Sequence, residues 1–357
     1  MIITPDHARS LLAVCDIPRG ADFFTLRFEQ QDALASLAKR AGYRKPRNAN
    51  GSTGRYFHAY LQRLAAKGEM TIRIDLRWPI ALQQEVVNVG ATANFGGDFV
   101  RIGGVKGFMD GSLGSSTAKM YEPYEGESKN TGVYVTEPDA MRAMIASADA
   151  GGLNVCVHAI GDQANAVLLD IFASVAKQNG ARDRRFRIEH VQHLRPADYS
   201  RFKALGVVAS MQPYHVIDDG RWAEGRIGKT RCASSYSYRS LIDAGAKLAF
   251  GSDWPVAPLD VLAGIDAAVN RRTLGGKHPD GWFPEQRISV AEAVEAYTLG
   301  SAIGGRQEAE RGSLSAGKVA DLVVLSRDIF APAEKDRIAD TKVDLTVVGG
   351  KVVFERK

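Results

Sequence analysis

Three side chains able to bind a cation recur at a regular spacing in this sequence: His158, His190 and Asp253. Each closes or follows an apolar run. Leu153 to His158 (LNVCVH) is followed at once by Gly161-Asp162, Phe186 to His190 (FRIEH) ends on an imidazole, and Lys247 to Asp253 (KLAFGSD) ends on a carboxylate. A buried strand that finishes on a polar residue is where a parallel β/α protein keeps its chemistry. His158 and His190 lie 32 positions apart, close to the roughly 30 residues of one strand-helix-strand unit. His190 and Asp253 lie 63 apart, about two such units, with the apolar run Gly206 to Met211 between them. Two imidazoles and a carboxylate suit Zn2+ or a related divalent ion, with one position left open for water. A single histidine at a strand end is ordinarily a satisfied rim residue, but three in phase with a structural period are harder to explain that way.

The elements that must carry these residues follow from the patterning. Thr71 to Leu76 alternates as a strand, Ile80 to Val87 reads as a helix, and Phe99 to Lys106 as a further strand. Lys106 is conspicuous there, because a buried ammonium is costly unless its charge is paired or its chemistry changed. The plain alternative is a lysine that reaches the rim and pairs with Asp110. Asp110 to Thr117 is rich in glycine and hydroxyls but lacks both nucleotide-binding spacings, and the polar stretch Tyr121 to Thr131 has the length of a substrate-facing lid. Helices are expected over Glu137 to Ala150, Ala164 to Gln178, Ser240 to Ala244, Val261 to Asn270 and Ser289 to Thr298, the last opened by a Ser289/Glu292 capping box. Gln212, His215 and Trp254 fall just beyond strand ends and are read as substrate contacts. His193 is either a support for the site or the first residue of a loop.

Three segments result: residues 1–55, which offer little legible structure, a β/α segment over 56–304, and a tail over 305–357 of short strands and tight turns. In the first, Gln31 to Ala41 has helical spacing, Pro46 to Gly54 is a polar loop, and His7 and His58 read as surface residues. The 357 residues, 45% hydrophobic and 24% charged, are ordinary for a globular enzyme. The net charge of +5 is dispersed, which argues against nucleic acid as a partner. Three cysteines without a CxxC pair indicate free thiols and a reducing compartment. No run reaches the roughly 18 apolar residues of a membrane span, and the opening residues make a poor secretory signal. A cytoplasmic protein with a small-molecule substrate, able to form a homo-oligomer, is the expectation.

The segments GGVKGFMDGSLGS, VHAIGDQA, RIEHVQH, ASMQPYH, FGSDWPV and GSLSAGKVADLVVL, in this order, resemble the amidohydrolase superfamily, specifically its amidohydrolase-3 branch of metal-dependent hydrolases. The resemblance runs from about Tyr60 to the end of the chain. It implies a (β/α)8 TIM-type barrel with part of a small β-sandwich at the C-terminus, hydrolysing amide-type carbon-nitrogen bonds other than peptide bonds. It further implies one or two Zn2+ ions, with Lys106, His158, His190 and Asp253 as metal ligands. Lys106 would be carboxylated, which turns a buried ammonium into an anionic oxygen ligand. Asp253 would act as the general base and then as the acid.

One feature departs from the resemblance. The family's first barrel strand carries His-x-His, and no such pair occurs here. Strand candidates between Thr71 and Asp253 number roughly six, against the eight of a closed barrel. The barrel is therefore expected to be incomplete at its N-terminus. The alternative function is a catalytically impaired remnant, or a binding protein, that keeps the hydrolase fold.

Overall fold

The computed structural model describes residues 24–26 and 61–357, so the expectations for Gln31 to Ala41, Pro46 to Gly54, His7 and His58 lie outside the described residues. In chain order the strands are β1 (Phe24–Leu26), β2 (Ile74–Pro79), β3 (Phe95–Gly96), β4 (Val100–Phe108), β5 (Val155–Ala159), β6 (Arg187–His190), β7 (Val208–Met211) and β8 (Lys247–Phe250). All but β3 pair in parallel, in the spatial order β1-β2-β4-β5-β6-β7-β8, and β3 adds a short antiparallel pairing to β4. This is the α/β barrel-type architecture, and the path runs from β1 to β8 without closing among the described residues.

The six parallel strands from β2 to β8 fall where the apolar runs place them. β5, β6 and β7 are buried along their whole length. Burial on both faces is what helices over a parallel sheet impose, and it is why these runs read as continuous rather than alternating. β1 is the exception, a parallel partner of β2 drawn from the segment that offered little legible structure. Three residues are too few to produce a periodic signal.

The helices show why the alternation holds. Asp162–Gln178 begins after Gly161, carries an acid in its first turn and Lys177 in its last, and buries Leu168, Leu169, Phe172 and Val175 on one face. Phe172 stacks on Phe186 beside β6, ring centroids 4.4 Å apart. The Ser289/Glu292 capping box forms as expected, and Gly245 takes a left-handed φ of 78° after the helix Tyr238–Asp243. The helix after the capping box, Val290–Glu295, passes into a π-turn at Ala296–Gly300 and ends at Gly304. Gly300 lies where a Cβ would come within 2.1 Å of the Leu248 carbonyl, so only glycine lets this turn approach β8.

The tail forms a separate three-stranded antiparallel sheet of β9 (Leu322–Leu325), β10 (Val343–Val348) and β11 (Lys351–Glu355), ordered β11-β10-β9. Gly349 and Gly350, at φ 56° and 77°, make the tight turn between β10 and β11. The sheet is fastened to the barrel by a buried bidentate pair, Arg73 to Asp321 at 2.7 and 3.1 Å. Among the described residues no helix is long and apolar enough to cross a membrane.

Candidate metal centre

The donor residues sit together because adjacent parallel strands end at one level. In the strand register Phe108 lies opposite His158, and Ala159 opposite His190. Met211 lies opposite Phe250, which puts Gln212 and the Gly251-Ser252-Asp253 turn at the same mouth. His190 and Asp253 both adopt left-handed backbone, φ 77° and 62°, as does Val191 at 48°. Such conformations cost about 1–3 kcal/mol each and persist where the surroundings over-determine them.

The group brought within ligand reach is His190, His215 and Asp253, each offering one donor atom within 4.8 Å of the others. His215 Nε2 lies 3.3 Å from Asp253 Oδ2. Donors around one Zn2+ at about 2.0–2.1 Å stand roughly 3.3–3.5 Å apart, so that pair already has the spacing of two ligands. Two imidazoles and a carboxylate are borderline-soft and hard donors in the combination that holds Zn2+, and the residues fit a divalent ion.

His158 stands next to this group. Its ring meets the His190 ring edge to face, centroids 4.5 Å apart. Its Nε2 lies 2.8 Å from the Gly111 carbonyl, which can only accept, so Nε2 carries the proton and the lone pair is on Nδ1. An imidazole whose second nitrogen donates to a backbone carbonyl is oriented as a ligating histidine is. His215 enters the group although the sequence reading made it a substrate contact. It belongs to the first turn of a helix, Tyr214–Asp219, that follows β7 after Gln212-Pro213, so no apolar run ends on it.

Lys106 is buried, with its Nζ donating to the Gly107 carbonyl at 3.2 Å and lying 4.4 Å over the Phe108 ring. Asp110, the partner considered for a rim pair, feels the Lys106 charge and is held mainly by backbone groups. Asp110 accepts from the backbone N–H groups of Ile160, Gly161 and Lys119 at 2.8–2.9 Å, and lies 3.5 Å from His158 Nε2. Burial pushes its carboxyl up to about 7, against the pull of those N–H groups and of the Lys106 charge. Asp110 thus ties the loop after β4 to the turn after β5.

Gln212 is buried, its amide donating to the Ser210 carbonyl at 3.3 Å. Trp254 packs, partly buried, against Leu61, Ile74, Leu76, Val100 and Leu259. His193 turns out to be interior: Nδ1 pairs with Ser235 Oγ at 2.7 Å, and burial, aided by the Arg231 charge, drives its pKa down to about 3. The stretch Tyr121 to Thr131 is pinned, not loose, with the Tyr124 hydroxyl donating to the Ala118 carbonyl and Met120 N–H to Thr131. Below the donors, Arg187 and Glu189 form a buried pair at 2.6 Å, and Ser210 donates to the second oxygen of Glu189.

A mostly parallel sheet carries a histidine-and-aspartate cluster at the mouth beyond its C-terminal strand ends, an arrangement that suits a metal-dependent hydrolase. The chain belongs to the amidohydrolase family, whose model matches residues 33–354. It is 41% identical over 291 residues to Protein LONG AFTER FAR-RED 3 of Arabidopsis thaliana, covering 80% of this chain and 49% of that one. It is 26% identical over 258 residues to the N-substituted formamide deformylase of Arthrobacter pascens, covering 72% of this chain and 46% of the relative. Among solved structures it resembles an uncharacterized metal-dependent hydrolase from Pyrococcus horikoshii, with TM-score 0.70 and 31% identity over 78% of this chain and 55% of that one. The chain spans about half the length of the curated relatives it matches.

Proposed function

We propose that this chain is a metal-dependent hydrolase acting on amide-type carbon-nitrogen bonds, other than peptide bonds, in small molecules. The observation that carries this reading is the convergence of His190, His215 and Asp253 at one mouth of the sheet. The residues that would hold the ion are these three with His158, whose Nδ1 lone pair is set by the Gly111 carbonyl, and with Lys106, carboxylated, as a further oxygen ligand. Zn2+ suits the imidazoles best. The similarity to an N-substituted formamide deformylase supports an N-acyl or N-formyl substrate.

When bound, a divalent ion supplies Lewis acidity and makes water nucleophilic near neutral pH. Asp253 takes the proton as the water oxygen adds to the carbonyl carbon, and returns it to the nitrogen as the carbon-nitrogen bond breaks. Gln212 and Trp254 are the further residues proposed to contact the substrate. The buried free thiols of Cys156 and Cys232 support a cytoplasmic setting.

A second reading, a catalytically impaired remnant or binding protein that keeps the fold without turnover, is favoured by a sequence that carries no His-x-His pair. Assay of Zn2+-loaded protein against a panel of N-formyl and N-acyl amines separates the two. Hydrolysis lost in Asp253→Asn supports the hydrolase, and metal binding without hydrolysis of any member supports the second reading.

A further inference from the structure

The backbone segments that present His190 and His215 are joined by a partly buried carboxylate, Asp219, that the hydrolytic chemistry does not use. Asp219 closes the helix Tyr214–Asp219 four residues beyond His215, on the same helical face. Its Oδ2 accepts the Tyr236 hydroxyl at 2.5 Å and the Gln192 amide at 2.6 Å. Gln192 stands two residues beyond His190, past the left-handed Val191. The circuit closes through the backbone, because Tyr236 N–H donates to the Gln192 carbonyl at 2.8 Å. Ser235, the neighbour of Tyr236, holds the His193 ring.

Neither histidine-bearing segment is rigid by itself. A six-residue helix is far too short to be stable alone, and two consecutive left-handed residues need external support. The Gln192–Asp219–Tyr236 circuit supplies a common anchor to both.

We propose that Asp219 is a positioning residue: through Gln192 and Tyr236 it sets the separation of the His190 and His215 imidazoles, and with it how tightly the site holds a divalent cation. This rests on the metal-site reading above. Outer-sphere groups of this kind typically govern affinity by about 10–100-fold.

The test measures Zn2+ affinity by chelator competition for the wild type, Asp219→Ala, Asp219→Asn, Tyr236→Phe and, as a control for general destabilisation, Asp149→Ala. Asp149 is fully buried and binds Arg182, Arg184 and Asn179 instead. In parallel, the imidazole carbon-proton signals of His190 and His215 are recorded on the metal-free proteins. Asp219→Ala is expected to lose about 10–100-fold in affinity, Tyr236→Phe less, and Asp219→Asn to recover part of the loss. The His190 and His215 signals move in the Asp219 and Tyr236 variants and stay in place in Asp149→Ala. Tyr236→Phe, which keeps the aromatic packing, carries the test where Asp219→Ala does not fold. Affinity in the Asp219 and Tyr236 variants equal to that of Asp149→Ala overturns the proposal. A wild type that binds no Zn2+ refutes the metal reading instead, and the imidazole signals then decide: unmoved signals overturn the positioning role, and moved signals uphold it.

Discussion

The imidazoles of His158 and His190 meet edge to face, ring centroids 4.5 Å apart, at the ends of neighbouring strands. With Nε2 of His158 committed to the Gly111 carbonyl, its Nδ1 is the nitrogen left to bind a cation. Replacing His158 by alanine is therefore expected to weaken Zn2+ by at least about tenfold. Competition against a chelator of known affinity reads this directly. Unchanged affinity would leave His158 as a rim residue and the site with His190, His215 and Asp253 alone.

The pair Arg187 to Glu189 is buried within the sheet, and breaking a buried pair from one side strands the other charge. Arg187→Leu is expected to cost about 3–5 kcal/mol, measured by urea unfolding. The arginine lies between the charges of Asp75 and Glu189, which raise its pKa against desolvation. Arg187→Leu with Glu189→Met should recover much of the loss, because the second change removes the stranded carboxylate.

Gly161 follows the His158 strand at a contact no side chain fits. A Cβ there would stand 2.0 Å from the Lys119 carbonyl oxygen and 2.6 Å from its nitrogen, both backbone atoms. Gly161→Ala must push the loop after β4 off the turn after β5, loosening the N–H contacts to Asp110. A cost of about 1–3 kcal/mol is expected, seen as a lower thermal midpoint. A stability equal to the wild type would show that this contact is not as close as described.

His193 gives a pH signature whose sign is fixed by its low folded pKa of about 3. The unfolded chain, near 6.5, binds a proton that the folded one refuses, so stability is full above about 6.5 and falls as pH drops towards 3. Asp110, folded pKa about 7, acts in the opposite sense, taking up a proton in the folded state between about 3.8 and 7. Comparing wild type with His193→Gln isolates the histidine: the variant should lose less stability between pH 6.5 and 4. Parallel stability curves would contradict the buried, neutral imidazole.

Much of the fold was legible because it is written locally. The helix Val261–Asn270, the Ser289/Glu292 cap and β10 appear at the residues where periodicity and caps place them. His190 and Asp253, which the structure brings together, and His158 beside them stood out in the sequence because each follows an apolar run in phase with the β/α repeat. His215 escaped as a donor because a helical turn, not a strand, presents it, and that turn is held by Gln192 and Tyr236, 23 and 21 positions away in the sequence. The burial of His193 was equally invisible, since its partner Ser235 lies 42 residues off. β1 carried no pattern, and its place beside β2 is a pairing between residues about fifty positions apart.

The measurement that bears most directly on the account is the metal content of the purified protein after dialysis against Zn2+, by elemental analysis, beside His190→Ala, His215→Ala and Asp253→Ala. At least one Zn2+ per chain in the wild type, and strongly reduced content in each variant, is the predicted result. A wild type without bound metal, or variants that keep it in full, would contradict the convergence of these side chains on one cation.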